Sequence, residues 1–172
     1  MQTTWSKQWL LPLPHDVVRQ LSLTSHLALV NCSRKEGNRH LFHELTRVTY
    51  LSFLMWDAGY GCAHLDLFES AEALLGESAL QGEATGTWSL GDSAIEMIKR
   101  LLIVHDEQIG AVPSRVFAEA TVSLERLIQG GQTDSPIAAA KARGLRRTGV
   151  SNASLAYALP SVVSGLARWY VE

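Results

Sequence analysis

The sequence predicts an all-α fold: a five-helix bundle around one buried central helix, with a helical C-terminal appendage. Three observations predict it. Apolar residues recur at helical spacing through most of the first 130 positions, and no stretch sustains the period-two alternation of a half-buried strand. Residues 38–58 are apolar over more than half of the helical circumference, too wide an arc for a surface helix. An apolar content of 47% beside 19% charged residues is that of a folded chain and excludes a disordered one. At 172 residues the chain is long enough to bury a real core.

The N-terminal dozen holds Trp5, Trp9, Leu10 and Leu11, and Pro12 and Pro14 then break regular structure. An amphipathic arm docked on the body is expected. A first helix starts near Pro14-His15-Asp16, with proline in its first turn and an acid at the positive dipole end. Val17, Leu21, Thr24 and Ala28 recur at helical spacing, and the run ends by Ser33–Gly37.

In the central helix Phe42, Leu45, Thr49, Ser52, Phe53 and Trp56 share one side, with Leu41, Val48, Leu51 and Met55 beside them. His40, His43, Arg47 and Tyr50 mark a narrow polar strip that Leu54 closes. Its first three turns are therefore expected to meet solvent or a partner and its last two to be buried. Gly59-Tyr60-Gly61 is a fitting stop.

A third helix is expected from about Ala63 to Gly76, with Phe68, Ala71 and Leu75 inward. The glycine-rich stretch from Gly76 to Gly91, which includes Trp88, reads as a loop. Ser89-Leu90-Gly91-Asp92 resembles a capping box with Asp in place of Glu, opening a fourth helix that carries Ala94, Ile98, Leu101 and His105 on one face. Pro113 opens a fifth, striped by Phe117, Ala120, Leu124 and Leu127. Residues 130–136 form the one linker, which divides a bundle domain (1–134) from an appendage (135–172). In the appendage an alanine-rich basic helix over 137–147 and a turn at Gly149–Asn152 precede an apolar segment interrupted by Pro160.

Charge divides at the same place. Residues 1–134 carry 10 basic and 16 acidic side chains, a net of −6, and residues 135–172 carry 5 and 1, a net of +4. A basic end on an acidic body points to a polyanion or an acidic partner. No apolar run approaches the ~20 residues needed to span a bilayer. Residues 1–5 lack a basic region followed by an apolar run. Cys32 and Cys62, far apart, read as reduced thiols, so a cytoplasmic protein without membrane contact is expected.

Two constellations bear chemistry. His40, His43, Glu44 and Arg47 fall on one helical strip, where His40 and Glu44 at i, i+4 have the spacing of metal ligands. His105-Asp106 resembles the doublet of the HD metal-dependent phosphohydrolases. That resemblance implies an upstream histidine, His40 or His64, and a downstream acid, Asp134, which here lies in the linker. The alternative is a surface Glu44–Arg47 pair and a hydrogen-bonded His105 at the edge of the core. No Gly-x-Ser-x-Gly elbow, phosphate-binding loop or dinucleotide fingerprint occurs, and no cofactor is expected.

The second constellation is in the appendage. Residues 148–155 resemble the turn and recognition-helix start of helix-turn-helix repressors, with Ser151 and Asn152 as candidate DNA contacts and Lys141, Arg143, Arg146 and Arg147 on the preceding helix and turn, placed for phosphates; two registers compete, with Gly149 or Gly144 as the turn glycine. The alternatives are a basic helix packed on the acidic body or an oligomerisation arm. Trp5, Trp9, Trp169 and Tyr170 supply aromatic anchors of the kind interfaces favour.

Residues 36–40, 43–47 and 57–61, together with Leu102-Ile103-Val104-His105-Asp106-Glu107-Gln108-Ile109, carry a further resemblance. Over about residues 25–130 the chain resembles small helical phage and prophage proteins of proteobacteria, often labelled Fis-family transcriptional regulators. The resemblance implies a bacterial mobile-element origin, a cytoplasmic setting and no catalysis, and it carries over no binding residue. The expected function is thus a non-enzymatic binding protein acting on a protein partner or on double-stranded DNA through its basic segment. The alternatives are an HD-like phosphohydrolase built on His40 or His64, His105 and Asp106, and a homo-oligomer module.

Overall fold

The computed structural model describes residues 7–129, with side chains from Trp9 onward, and 135–148, with side chains up to Gly144. A short 3-10 turn (Lys7–Leu10) leads into six helices: α1 (His15–Ser33), α2 (Arg39–Asp57), α3 (Leu65–Thr85), α4 (Asp92–Ala111), α5 (Ser114–Gln129) and α6 (Pro136–Thr148). The protein is all-α, and none of these helices is long and apolar enough to cross a membrane.

Helix α2 is the axis. It packs against α1, α3, α4 and α5 and touches α6, and Phe42, Leu45, Val48, Leu51, Phe53 and Met55 are all buried. Asn38 starts it by accepting a hydrogen bond from the Leu41 amide at 2.9 Å, satisfying one of the orphan donors of the first turn. Gly59 and Gly61, at φ 94° and 91°, end it where a side chain would be strained. Its lower half meets α3 through aromatic contacts: Phe53–Phe68 centroids lie 5.7 Å apart, edge to face, and Trp56–Phe68 centroids 5.4 Å apart. The polar strip differs from expectation at Tyr50, which is 3% exposed because its hydroxyl has a partner on α3.

Helix α3 is longer than its glycines suggest. It runs through Gly76 and Gly82 to Thr85 and ends at Gly86, φ 74°. Tertiary packing outweighs helix propensity here: a Cβ on Gly82 would stand 2.7 Å from the Trp88 ring. Trp88 is buried against Phe42 (centroids 5.3 Å apart), and a Cβ on Gly37 would run into the Trp88 carbonyl. Residues 87–91 are therefore a strap over the α1–α2 turn, pinned further by the Leu90 amide donating to the Cys32 carbonyl at 3.2 Å. The expected capping box is absent: α4 starts at Asp92 with Gly91 as N-cap, and no side chain caps it.

Two buried polar clasps tie the elements. Gln108 accepts from the Ser52 hydroxyl (2.6 Å) and donates to the carbonyls of Ser52 (3.0 Å) and Tyr60 (2.9 Å), fixing α4 to the end of α2. Ser135 caps α6, its Oγ accepting from the amides of Ile137 and Ala138. Its hydroxyl also lies beside the buried Tyr50–Glu72 pair, where it favours the Glu72 carboxylate. With Ile137 fully buried, the start of α6 belongs to the core built by α2 and α3. The N-terminal arm is held at Leu11, whose carbonyl accepts from the Ser114 amide (2.8 Å) and hydroxyl (2.9 Å). Cys32 is buried, which pushes its thiol up to about 11, and Cys62 is exposed.

Candidate functional site

Helix α1 has two apolar faces. Ser25, Ala28, Leu29 and Cys32, spaced i, i+3, i+4 and i+7, are buried against α2 and α4. Leu23, Leu27 and Val30, spaced i, i+4 and i+7, occupy the opposite side and are 57%, 50% and 40% exposed. Isolated exposed leucines need no explanation, but a stripe of three on the solvent side of one helix is a surface of a different kind.

A polar contact marks the edge of that stripe. His26 is three residues from Leu23 and four from Val30, so it neighbours both on the helix surface. Its Nε2 lies 2.9 Å from Oδ2 of Asp106 on α4. On α4, Ile103, three residues before Asp106, is a further exposed apolar side chain, 59% exposed. The His26–Asp106 pair thus joins α1 to α4 at the edge of the stripe, both side chains half-exposed.

More buried polar side chains lie close to that pair. His105 is 1% exposed and its Nδ1 makes no hydrogen bond. Burial lowers its pKa to about 4; the Asp106 carboxylate opposes this, and Arg47 and His26 reinforce it. The ring is therefore neutral at pH 7. Arg47 faces Glu44 at 3.4 Å within α2, so the expected surface pair forms, half-buried. His43 is also held neutral, lowered to about 4 by burial and by neighbouring Arg39 and His40.

The described members of the metal-ligand grouping expected from the sequence, His40, His64, His105 and Asp106, are not brought together. Among the described residues no three His, Cys, Asp or Glu side chains converge to hold an ion. His40 is exposed in the first turn of α2, His64 is exposed at the N-cap of α3, and His105 points into the core. Asp106 turns instead to His26, a histidine that no sequence motif marks. Asp134 lies outside the described residues.

The basic residues of the appendage are partly accounted for. Lys141 Nζ meets Glu69 Oε2 at 3.1 Å and Arg143 Nη2 approaches Asp57 Oδ2 at 3.7 Å, so both described cations of α6 face carboxylates of the acidic body. Arg146 and Arg147 are on α6, but their side chains are outside the described residues, as are Ser151 and Asn152. Of the aromatic anchors, Trp9 is described and is 42% exposed on the 3-10 turn; Trp5, Trp169 and Tyr170 are outside. No family model, curated protein or solved structure matches the chain.

Proposed function

We propose that the chain is a non-enzymatic helical binding protein whose partner is another protein, engaged by the outer face of α1. The observation that carries this reading is the exposed stripe Leu23–Leu27–Val30, on the side of α1 opposite its buried residues. An amphipathic helix laid along such a stripe buries apolar area on both sides, and the His26–Asp106 pair supplies a polar registration point at its edge. In this reading α1–α5 form the binding bundle around α2, and residues 135–172 are an appendage that α6 anchors to it. The bacterial, phage-type and cytoplasmic setting rests on the sequence resemblance.

The test is a photo-crosslinking amino acid at position 27, compared with one at the exposed Glu119 on α5. A discrete adduct formed in cells at position 27 and missing at 119 is the expected result. No adduct at 27, or the same adducts at both positions, overturns the reading. The adduct mass separates a foreign partner from a second copy of the chain.

DNA binding is the second reading, favoured by the placement of Lys141, Arg143, Arg146 and Arg147 on one helix. It has less support, because Lys141 and Arg143 already face body carboxylates.

A further inference from the structure

A groove of about 450 Å³, with no α1 residue in its lining, opens between the C-terminal half of α2, α5 and the first turns of α6. That volume falls within the roughly 300–1,000 Å³ usual for small-molecule sites. Phe53, Leu54 and Leu127 give it apolar walls, while Arg126, Arg143 and Asp57 bring charge to it. Two guanidiniums against one carboxylate leave the lining net positive among the described residues.

Neither arginine is fully used by the described residues. Among the described residues Arg126 has no ion-pair partner, and the 3.7 Å separation of Arg143 from Asp57 exceeds hydrogen-bond length. A guanidinium presents its donors as a planar fork that matches a carboxylate, whereas an inorganic ion would gain nothing from the apolar walls. A neutral apolar ligand would leave the arginines idle. Pro136 and Ala139 bring the positive end of the α6 dipole to the same groove, which also favours negative charge.

We propose that this groove binds a small amphipathic carboxylate, its anionic head on Arg126 and Arg143 and its aromatic or aliphatic body on Phe53, Leu54 and Leu127. The site is independent of the protein-binding surface on α1. A ligand here bridges α5 and α6 across α2, so occupancy also steadies the start of the appendage.

The experiment is calorimetric titration of the full chain with 2-naphthoate and with its uncharged analogue 2-naphthamide. The expected result is one-to-one binding of the naphthoate, with the amide weaker by at least about tenfold, the worth of a charge-assisted contact. Replacing both exposed arginines (Arg126→Gln with Arg143→Gln) should weaken the naphthoate by a similar factor. Leu127→Trp, which fills the groove and leaves both arginines, should abolish binding. No naphthoate binding up to millimolar concentration, equal affinity for the amide, or full affinity in the double arginine variant overturns the proposal. Unchanged affinity in Leu127→Trp does so too, because it places the ligand elsewhere.

Discussion

Tyr50 on α2 donates its phenolic hydrogen to Oε1 of Glu72 on α3 at 2.6 Å, and both side chains are almost wholly out of water. Burial is the largest influence on Glu72 and raises its carboxyl above 4.5, although the Ser135 hydroxyl and the Tyr50 hydrogen bond pull the other way. The Tyr50 hydroxyl is held well above its ordinary value by the same burial and by the Glu72 charge. The pair thus links two helices, and through Ser135 a third, at a point where ionisation is disfavoured.

A pH dependence follows from that carboxyl. With its pKa raised, the native state keeps the proton to a higher pH than the unfolded chain does. The native state then binds more protons than the unfolded state, so stability falls as pH rises. The window opens at 4.5, the ordinary value, and closes at the raised one. Glu72→Gln keeps the size and an acceptor for Tyr50 while removing the titration. Urea midpoints taken stepwise upward from pH 4.5 should decline less in the variant than in the parent. Superimposable profiles would show that the carboxyl is not held protonated.

His105 acts with the opposite sign. Its pKa drops from 6.5 to about 4 on folding, so the unfolded chain takes up a proton first and stability is lost as pH falls through that interval. The full effect is of order 3 kcal/mol, since each tenfold change in proton affinity is worth about 1.4 kcal/mol. His43 contributes in the same direction. His105→Leu removes both the titration and a ring nitrogen that lacks a hydrogen bond. At pH 7 it should cost less than about 1 kcal/mol or stabilise, because eliminating an unsatisfied buried polar group offsets the change of shape. Loss of several kcal/mol at pH 7 would instead indicate a bonded, structurally required imidazole.

The strap over the α1–α2 turn offers a steric test. At Gly82 a Cβ meets the flat side of an indole, which can yield a little, whereas at Gly37 it meets the backbone carbonyl of Trp88, which cannot. Gly82→Ala should cost about 1–3 kcal/mol, the usual range for overpacking. Gly37→Ala should cost more and loosen residues 87–91. Hydrogen exchange at the Leu90 amide, bonded to Cys32, reads the second effect directly. An ordering with Gly82 the more damaging would mean that the strap can shift as a unit.

These positions also show which features are legible in the sequence. The core of α2 and α4 is visible because Phe42, Leu45, Ile98 and Leu101 are apolar at local helical spacing, and local spacing is what a single sequence displays. The extent of α3 is not. Glycines at 76 and 82 count against a helix on propensity, and only the indole of Trp88, brought close by the fold, explains the small residue at 82. Long-range polar pairs are equally hidden: His26 and Asp106 are eighty positions apart, and nothing near either one announces the other. The outer stripe of α1 is a different case, legible and yet missed. Leu23, Leu27 and Val30 repeat at helical spacing as plainly as the buried set does, but a helix is expected to have a single apolar face, and α1 has two.

The two faces of α1 predict contrasting substitutions. Leu23→Ser with Leu27→Ser should alter stability by no more than about 0.5 kcal/mol, the usual reach of an exposed change. Leu29→Ala, on the same helix but 5% exposed, should cost about 2–5 kcal/mol through lost burial and the cavity left behind. Equal costs for the two variants would mean that the stripe is covered within the chain itself and is not available to a partner.

DNA binding through α6 makes a separate electrostatic prediction. Lys141 and Arg143 each face a carboxylate, at distances and exposures where an ion pair is worth at most about 1 kcal/mol. Such pairs are weak enough to be exchanged for phosphate contacts, but the exchange strands Glu69 and Asp57 beside a polyanion. If α6 binds the duplex, the logarithm of affinity should fall linearly with the logarithm of salt, by about 0.9 per phosphate contact. Arg146→Ala with Arg147→Ala should then reduce that slope by roughly two contacts. Glu69→Gln should raise affinity by relieving repulsion. Anisotropy with a random duplex across a salt series measures all three. A slope that ignores the arginine pair, or an affinity that Glu69→Gln leaves unchanged, would return the cations of α6 to the structural role suggested by their pairing with the acidic body.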